Sequence, residues 1–118
     1  MRYEITELCE QHRWSDAVCF VLHTPSMPGQ SRIGDLLLIG RDILDPRHGL
    51  KGSERDSLLV PIIATLLQHG STENVRDFLG ALSSDKLRAS FSAATEALFF
   101  TRRFLADQGF VGSRLGCI

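Results

Sequence analysis

Two cysteine–histidine pairs near the start of the sequence are the residues best suited to bind a metal ion. Cys9 and His12 are three residues apart, and Cys19 and His23 are four apart. Residues at these spacings share one face of a helix. Two such pairs on the arms of a helical hairpin would present the four nitrogen and sulfur ligands that zinc prefers. The alternative is two buried cysteines and two surface histidines, because free cysteine often packs as a small apolar residue.

Catalytic motifs are not evident elsewhere in the sequence. There is no Gly-x-Ser-x-Gly elbow and no cysteine-protease context. The segment Gly49-Leu50-Lys51-Gly52-Ser53 lacks the spacing of a phosphate-binding loop, so we interpret it as a turn followed by a helix cap. We therefore expect a protein that is not an enzyme and that carries no cofactor.

Proline and glycine divide the chain into segments whose apolar residues recur at helical spacing. We predict an all-α fold, a compact bundle of five to six helices forming a single domain over residues 1–118, with a loose tail at about 110–118. Residues 7–23, ELCEQHRWSDAVCFVLH, resemble one helical hairpin of an α-solenoid repeat protein. This resemblance covers about a fifth of the chain and includes no diagnostic residue.

Several residues predict where helices begin and end. Asp45 before Pro46 should end a helix, because a residue preceding proline avoids the α conformation. Ser53 with Asp56 resembles a capping box at the start of the next helix. Pro61 should kink that helix or mark its true start. Ser83 or Ser84 should open the last helix, at about 85–108.

The last predicted helix carries two apolar stripes that together cover more than half of its circumference. This breadth predicts a helix that is central in the bundle and mostly buried. The first stripe is formed by Leu87, Phe91, Ala94, Leu98 and Leu105, and the second by Ala93, Ala97, Phe100 and Phe104.

The remaining face of this helix is polar, with one phenylalanine at its centre. We predict a partner-binding surface there, formed by Phe99, Glu96, Arg102 and Arg103, because aromatic residues and arginine are enriched at interface hot spots. Alternatively, the tail could fold back over Phe99, or the extra apolar surface of the helix could pair two copies in a homodimer.

A second hypothesis assigns the same region to single-stranded RNA or DNA. Residues 84–118 carry five basic and three acidic side chains, whereas residues 1–83 carry eight and eleven. Arg88, Arg102, Arg103 and Arg114 could contact phosphates while Phe99 stacks on a base. The competing interpretation is that these arginines are simply solvated.

The composition excludes several broad classes of protein. The formal net charge of −1 is too small for a strongly basic nucleic-acid binder. No apolar run reaches the roughly 18 residues of a membrane span. The first residues do not resemble a secretory peptide, and three cysteines argue against a disulfide framework. We therefore expect a cytoplasmic or nuclear protein rather than a secreted one.

The sequence is rich in residues that have six codons, and this excess suggests an unusual gene. Leucine, serine and arginine, which each have six codons, supply 17, 11 and 11 of the 118 residues, and arginine outnumbers lysine eleven to two. A viral gene that overlaps another reading frame would have this bias, and a high-GC genome is the alternative. We predict a viral accessory or regulatory protein that binds a host or viral protein.

Overall fold

A computed structural model describes residues 3–24 and 29–107, with the side chains of 29–31, 102 and 104–107 outside that description. All regular structure in these ranges is helical, which confirms the predicted all-α bundle of five to six helices. A short 3-10 turn, Pro46–His48, follows the third helix. The helices are α1 (Tyr3–Glu10), α2 (Trp14–His23), α3 (Gly29–Ile43), α4 (Gly52–Gln68), α5 (Thr72–Leu79) and α6 (Asp85–Asp107).

The helices stack in chain order. Each helix packs against the next one, and α1 with α3, α2 with α4, and α4 with α6 are also in contact. This pattern is that of stacked helical hairpins, in which each hairpin mainly contacts its neighbours. Residues 7–23, which resemble a solenoid hairpin in sequence, lie mostly in α1 and α2, and these two helices do pack together.

The hydrophobic core belongs to α1–α5. Among the described residues of helix α6, Leu87 and Phe91 pack against it, as partly buried residues at its edge. Among the described residues, the buried apolar side chains are Ile5, Cys9, Trp14, Ala17, Val18, Val21, Leu36, Ile39, Ile43, Leu59, Ile62, Ile63, Leu66, Val75, Phe78 and Leu82.

The prediction that the last helix is central and mostly buried therefore needs correction. Its bounds are close to those expected, but most of its described side chains are exposed, and Thr95 is the buried exception. The apolar stripes indicate which residues can be buried, whereas burial also requires a neighbour on each side. Helix α6 has α4 and α5 on one side and lies at the edge of the stack.

Asp56 does not cap its own helix as predicted. Helix α4 begins at Gly52 without a side-chain cap, and Asp56 lies one turn inside it. Its Oδ1 accepts a hydrogen bond from the Ser83 backbone N–H at 2.8 Å, and its Oδ2 accepts bonds from Ser83 Oγ and the Ser84 N–H at 2.8 and 3.0 Å. We call these three bonds the Asp56 clamp. It satisfies backbone donors at the start of α6, which otherwise lack partners.

The prolines have different effects. Helix α3 ends at Ile43, and Asp45 then caps the turn that begins at Pro46, so the predicted stop is confirmed. Pro61 instead lies inside a continuous α4 and does not mark its start. The hydroxyl of Thr65 donates to the Pro61 carbonyl at 2.8 Å within this helix. Among the described residues, no helix has both the length and the apolarity needed to cross a membrane.

Gly40 allows α3 and α5 to approach each other closely. A Cβ added to Gly40 would lie 2.6 Å from Cε1 and Cζ of Phe78, a ring that is only 2% exposed. A Cβ added to Gly34, on the same helix, would meet nothing within 4 Å.

We therefore expect opposite effects from two alanine substitutions in α3. Gly40→Ala should lower the free energy of unfolding by about 1–2 kcal/mol, since overpacking costs more than the helix propensity gained. Gly34→Ala should raise it by about 0.5–1 kcal/mol through propensity alone. Urea unfolding followed by circular dichroism measures both, and a Gly40→Ala protein as stable as Gly34→Ala would contradict the close contact.

Candidate functional site

A row of exposed apolar residues runs along one side of α6. Ala89, Ala93 and Ala97 are each one turn apart, and Phe100 continues the row. All four are exposed, and Phe100 is 71% exposed. We call this surface the outer face of α6. It contains three residues of the second apolar stripe, which the sequence analysis expected to be buried.

The predicted partner surface around Phe99 is also accessible, but less so. Phe99 is 49% exposed, and the Arg76 guanidinium of α5 lies 5.8 Å from the centre of its ring. This distance is typical of a cation–π contact. Glu96 and Arg103 are exposed, whereas the side chain of Arg102 lies outside the described residues. Phe99 therefore already has a neighbour within the chain, whereas Phe100 is the more exposed of the two.

The four arginines proposed for nucleic-acid binding cannot all be placed. Arg114 and the predicted loose tail at about 110–118 lie outside the described residues, as does the side chain of Arg102. Arg88 pairs with Asp85 at the start of α6. Arg103 lies fifteen residues further along, which is about 22 Å on a helix. The two arginines that can be placed are thus about four helical turns apart, and nucleic-acid binding stays a prediction.

The four residues predicted to bind zinc do not converge. No three of Cys9, His12, Cys19 and His23 have ligand atoms within 4.8 Å of one another. Cys9 is buried under α1, whereas Cys19 is exposed on α2. Burial raises the pKa of the Cys9 thiol to about 11, with a further contribution from the negative charge of Asp42. Cys9 is therefore a protonated core residue near neutral pH, as the alternative interpretation expected. The exposed Cys19 does not fit the pair of buried cysteines that this interpretation also expected.

A pocket lies beside the end of α3. Its volume is about 530 Å³, and Asp42 contributes to its wall. Asp42 Oδ2 accepts a 2.6 Å hydrogen bond from Nε1 of the buried Trp14, and Asp42 Oδ1 lies 3.3 Å from Nε2 of His48. We call this the Asp42 pocket. It is lined by Thr6, Cys9, Glu10, His12, Leu38, Arg41, Asp42, Asp45 and His48.

Three aromatic rings pack together beside Asp42. His12 stacks on Trp14 with ring centroids 4.9 Å apart, and His48 meets both rings edge-on at 4.9 and 5.1 Å. His12 adopts a positive φ of 58°, an uncommon conformation for this residue type, in the turn between α1 and α2. His12 thus lines the Asp42 pocket, as Cys9 does.

Asp45 completes the charged wall of the pocket. Its carboxylate accepts hydrogen bonds from the backbone N–H, Nε and an Nη of Arg47 at 2.6–3.1 Å. These bonds hold the pKa of Asp45 well below its usual range, so the group is a carboxylate near neutral pH. Ligand atoms of Asp42, Asp45 and His48 all lie within 4.8 Å of one another.

Sequence reasoning missed this cluster. Its signal was the segment Asp42-Ile43-Leu44-Asp45-Pro46-Arg47-His48, with two carboxylates and an imidazole three residues apart. That spacing suits one helical face, but Pro46 interrupts the helix. The cluster forms because a turn brings His48 back toward Asp42. The geometry of this turn was not predicted.

Comparison of the chain with protein-family models, with curated proteins and with solved structures finds no match in any of the three. We therefore infer the function from the geometry of the outer face of α6 and of the Asp42 pocket.

The contrast between the two helical cysteines can be tested by thiol chemistry. In a Cys117→Ser protein at pH 8, we expect Cys19 to react with Ellman's reagent at least about 100-fold faster than Cys9. A thiol of pKa about 11 is only about 0.1% thiolate at that pH, against about 24% for an ordinary thiol. Two equally fast thiols would contradict the buried position of Cys9.

Proposed function

We propose that this protein is a non-enzymatic helical module that works by binding another protein, and that the outer face of α6 is its contact surface. The observation that carries the proposal is the exposure of Phe100 in line with three exposed alanines. Large exposed aromatic side chains are enriched at the centres of protein interfaces.

The proposed occupant is an amphipathic helix of the partner. Each described helix packs against its neighbours in the stack, and α6 lies at the edge with its outer face uncovered by α1–α5. A helix would continue the same packing. Alanines spaced by one turn allow a second helix to approach closely, since the distance between packed helices depends on the side chains between them.

Charge indicates which side chains the partner would present. Two exposed arginines, Arg76 and Arg103, flank the two phenylalanines, while Glu96 is the acidic residue of the predicted partner surface. Acidic residues beside the apolar stripe of the partner helix would complement the arginines and favour the correct orientation. Glu96 and Arg103 then form the polar rim of the interface, Phe99 lies at its edge, and Phe100 forms its centre.

The viral role and the cellular location of the protein remain proposals. We infer a viral accessory or regulatory role from the excess of residues with six codons, and an overlapping reading frame in the gene would support it. A gene standing alone in a high-GC cellular genome would remove the viral origin without affecting the contact surface. The cytoplasmic or nuclear site likewise stays a prediction.

The contact surface can be tested by photo-crosslinking. We expect benzoylphenylalanine at position 100 to crosslink, in nuclease-treated lysate of the expressing cells, to an acidic, amphipathic helical segment of another protein. The same group at position 15, an exposed residue of α2, should crosslink much less. Crosslinks to a second copy of the chain alone, to nucleic acid alone, or to nothing would contradict the proposal.

The identified segment then permits a quantitative test with purified components. A synthetic peptide of that segment should bind the wild-type protein and lose at least about tenfold in affinity with Phe100→Glu, because a charge would face an apolar stripe. Ser15→Glu is the matched control, since it adds the same charge to an exposed position of α2, and it should bind as the wild type does. Equal affinities for all three proteins would place the interface elsewhere.

A further inference from the structure

We propose that Asp42, Asp45 and His48 form a binding site for a transition-metal dication of the zinc class. This site is distinct from the outer face of α6, and metal binding there does not depend on the proposed protein-binding function. It also differs from the predicted set of Cys9, His12, Cys19 and His23, whose members do not converge.

The donor set fits such an ion. One imidazole nitrogen and two carboxylate oxygens are ligands that zinc accepts, and an imidazole favours zinc over magnesium or calcium, which prefer oxygen ligands only. The carboxylates of Asp42 and Asp45 both line the pocket, so two acidic groups face the ion.

The distances also fit. Neighbouring ligands of a tetrahedral ion with bonds of about 2.0–2.1 Å lie roughly 3.3 Å apart. His48 Nε2 and Asp42 Oδ1 are 3.3 Å apart, and the ligand atom of Asp45 lies within 4.8 Å of both. A small rotation of the Asp45 carboxylate would complete a three-residue site, and the adjoining pocket of about 530 Å³ has room for water as the fourth ligand.

The surroundings orient two of the ligands. Trp14 Nε1 donates to Oδ2 of Asp42, which directs Oδ1 toward His48. The rings of His12 and Trp14 pack against the imidazole of His48 and restrict its rotation. Neighbouring groups that fix the orientation of ligands in this way strengthen metal binding.

Arg47 is the competing cation, because it donates to both oxygens of Asp45. Its side chain is 85% exposed, however, so its guanidinium can turn into solvent when a cation binds Asp45. A dication that binds Asp42, Asp45 and His48 together can therefore displace Arg47 or share Asp45 with it.

The test is titration of the purified protein, without a histidine tag, with zinc chloride by isothermal calorimetry. We expect one zinc ion per chain with a dissociation constant in the micromolar range, and no comparable binding of magnesium. Cobalt(II) bound at the same site should show the visible absorption of a four-coordinate ion. Failure to bind zinc more tightly than about 1 mM would overturn the proposal.

Two variants and one control locate the ion. His48→Gln and Asp45→Asn should each weaken zinc binding at least about tenfold, and Asp45→Asn changes a side chain whose described hydrogen bonds are all to Arg47. His69→Gln removes an exposed histidine at the end of α4 and should bind zinc as the wild type does. Binding that survives both site variants, or that is lost with His69→Gln, would overturn the assignment.

Discussion

The position of α6 depends on one buried carboxylate, that of Asp56 in α4. Asp56 is only 4% exposed, and the three hydrogen bonds of the Asp56 clamp hold the backbone where α6 begins. Burial alone would raise the pKa of this carboxyl. The bonds from Ser83 and Ser84 and the charge of Arg55 lower the pKa by more than burial raises it, so the net shift is downward. Arg55 also donates to the Ala81 carbonyl at 2.6 Å.

The clamp anchors a long amphipathic helix at its start, while α1–α5 leave the outer face of that helix uncovered. It fixes the start of α6 against α4, and Leu87 and Phe91 then pack on the edge of the core. Beyond Thr95 the described side chains of α6 are partly or fully exposed. The proposed contact surface is thus a consequence of anchoring a 23-residue helix mainly through its first half.

Much of the fold was predictable because local signals determine it. The stop before Pro46 and the start of α6 near Ser84 follow from backbone chemistry that acts within a few residues. The role of Asp56 was not predictable in this way. Its spacing from Ser53 suggested a local cap, whereas its actual partners lie 27 and 28 residues away.

The same distinction between local signals and distant contacts applies to the candidate sites. The exposure of Phe99 was expected from helical periodicity, but periodicity could not show that α1–α5 would leave the alanine stripe and Phe100 uncovered. The cluster of Asp42, Asp45 and His48 depends on a turn after Pro46 that places His48 beside Asp42. Burial of Cys9 similarly depends on which face of α1 meets the core.

Hydrogen exchange measured by mass spectrometry along the chain tests the clamp most directly. With Asp56→Ala, we predict that amides of residues 83–98 exchange at least about tenfold faster, because loss of buried hydrogen bonds costs about 1–3 kcal/mol. Amides of α1–α3 should exchange no faster than with Asp85→Ala, which removes an exposed aspartate near the same helix start. An unchanged α6, or an equal increase in α1–α3, would contradict the view that Asp56 holds α6 in place.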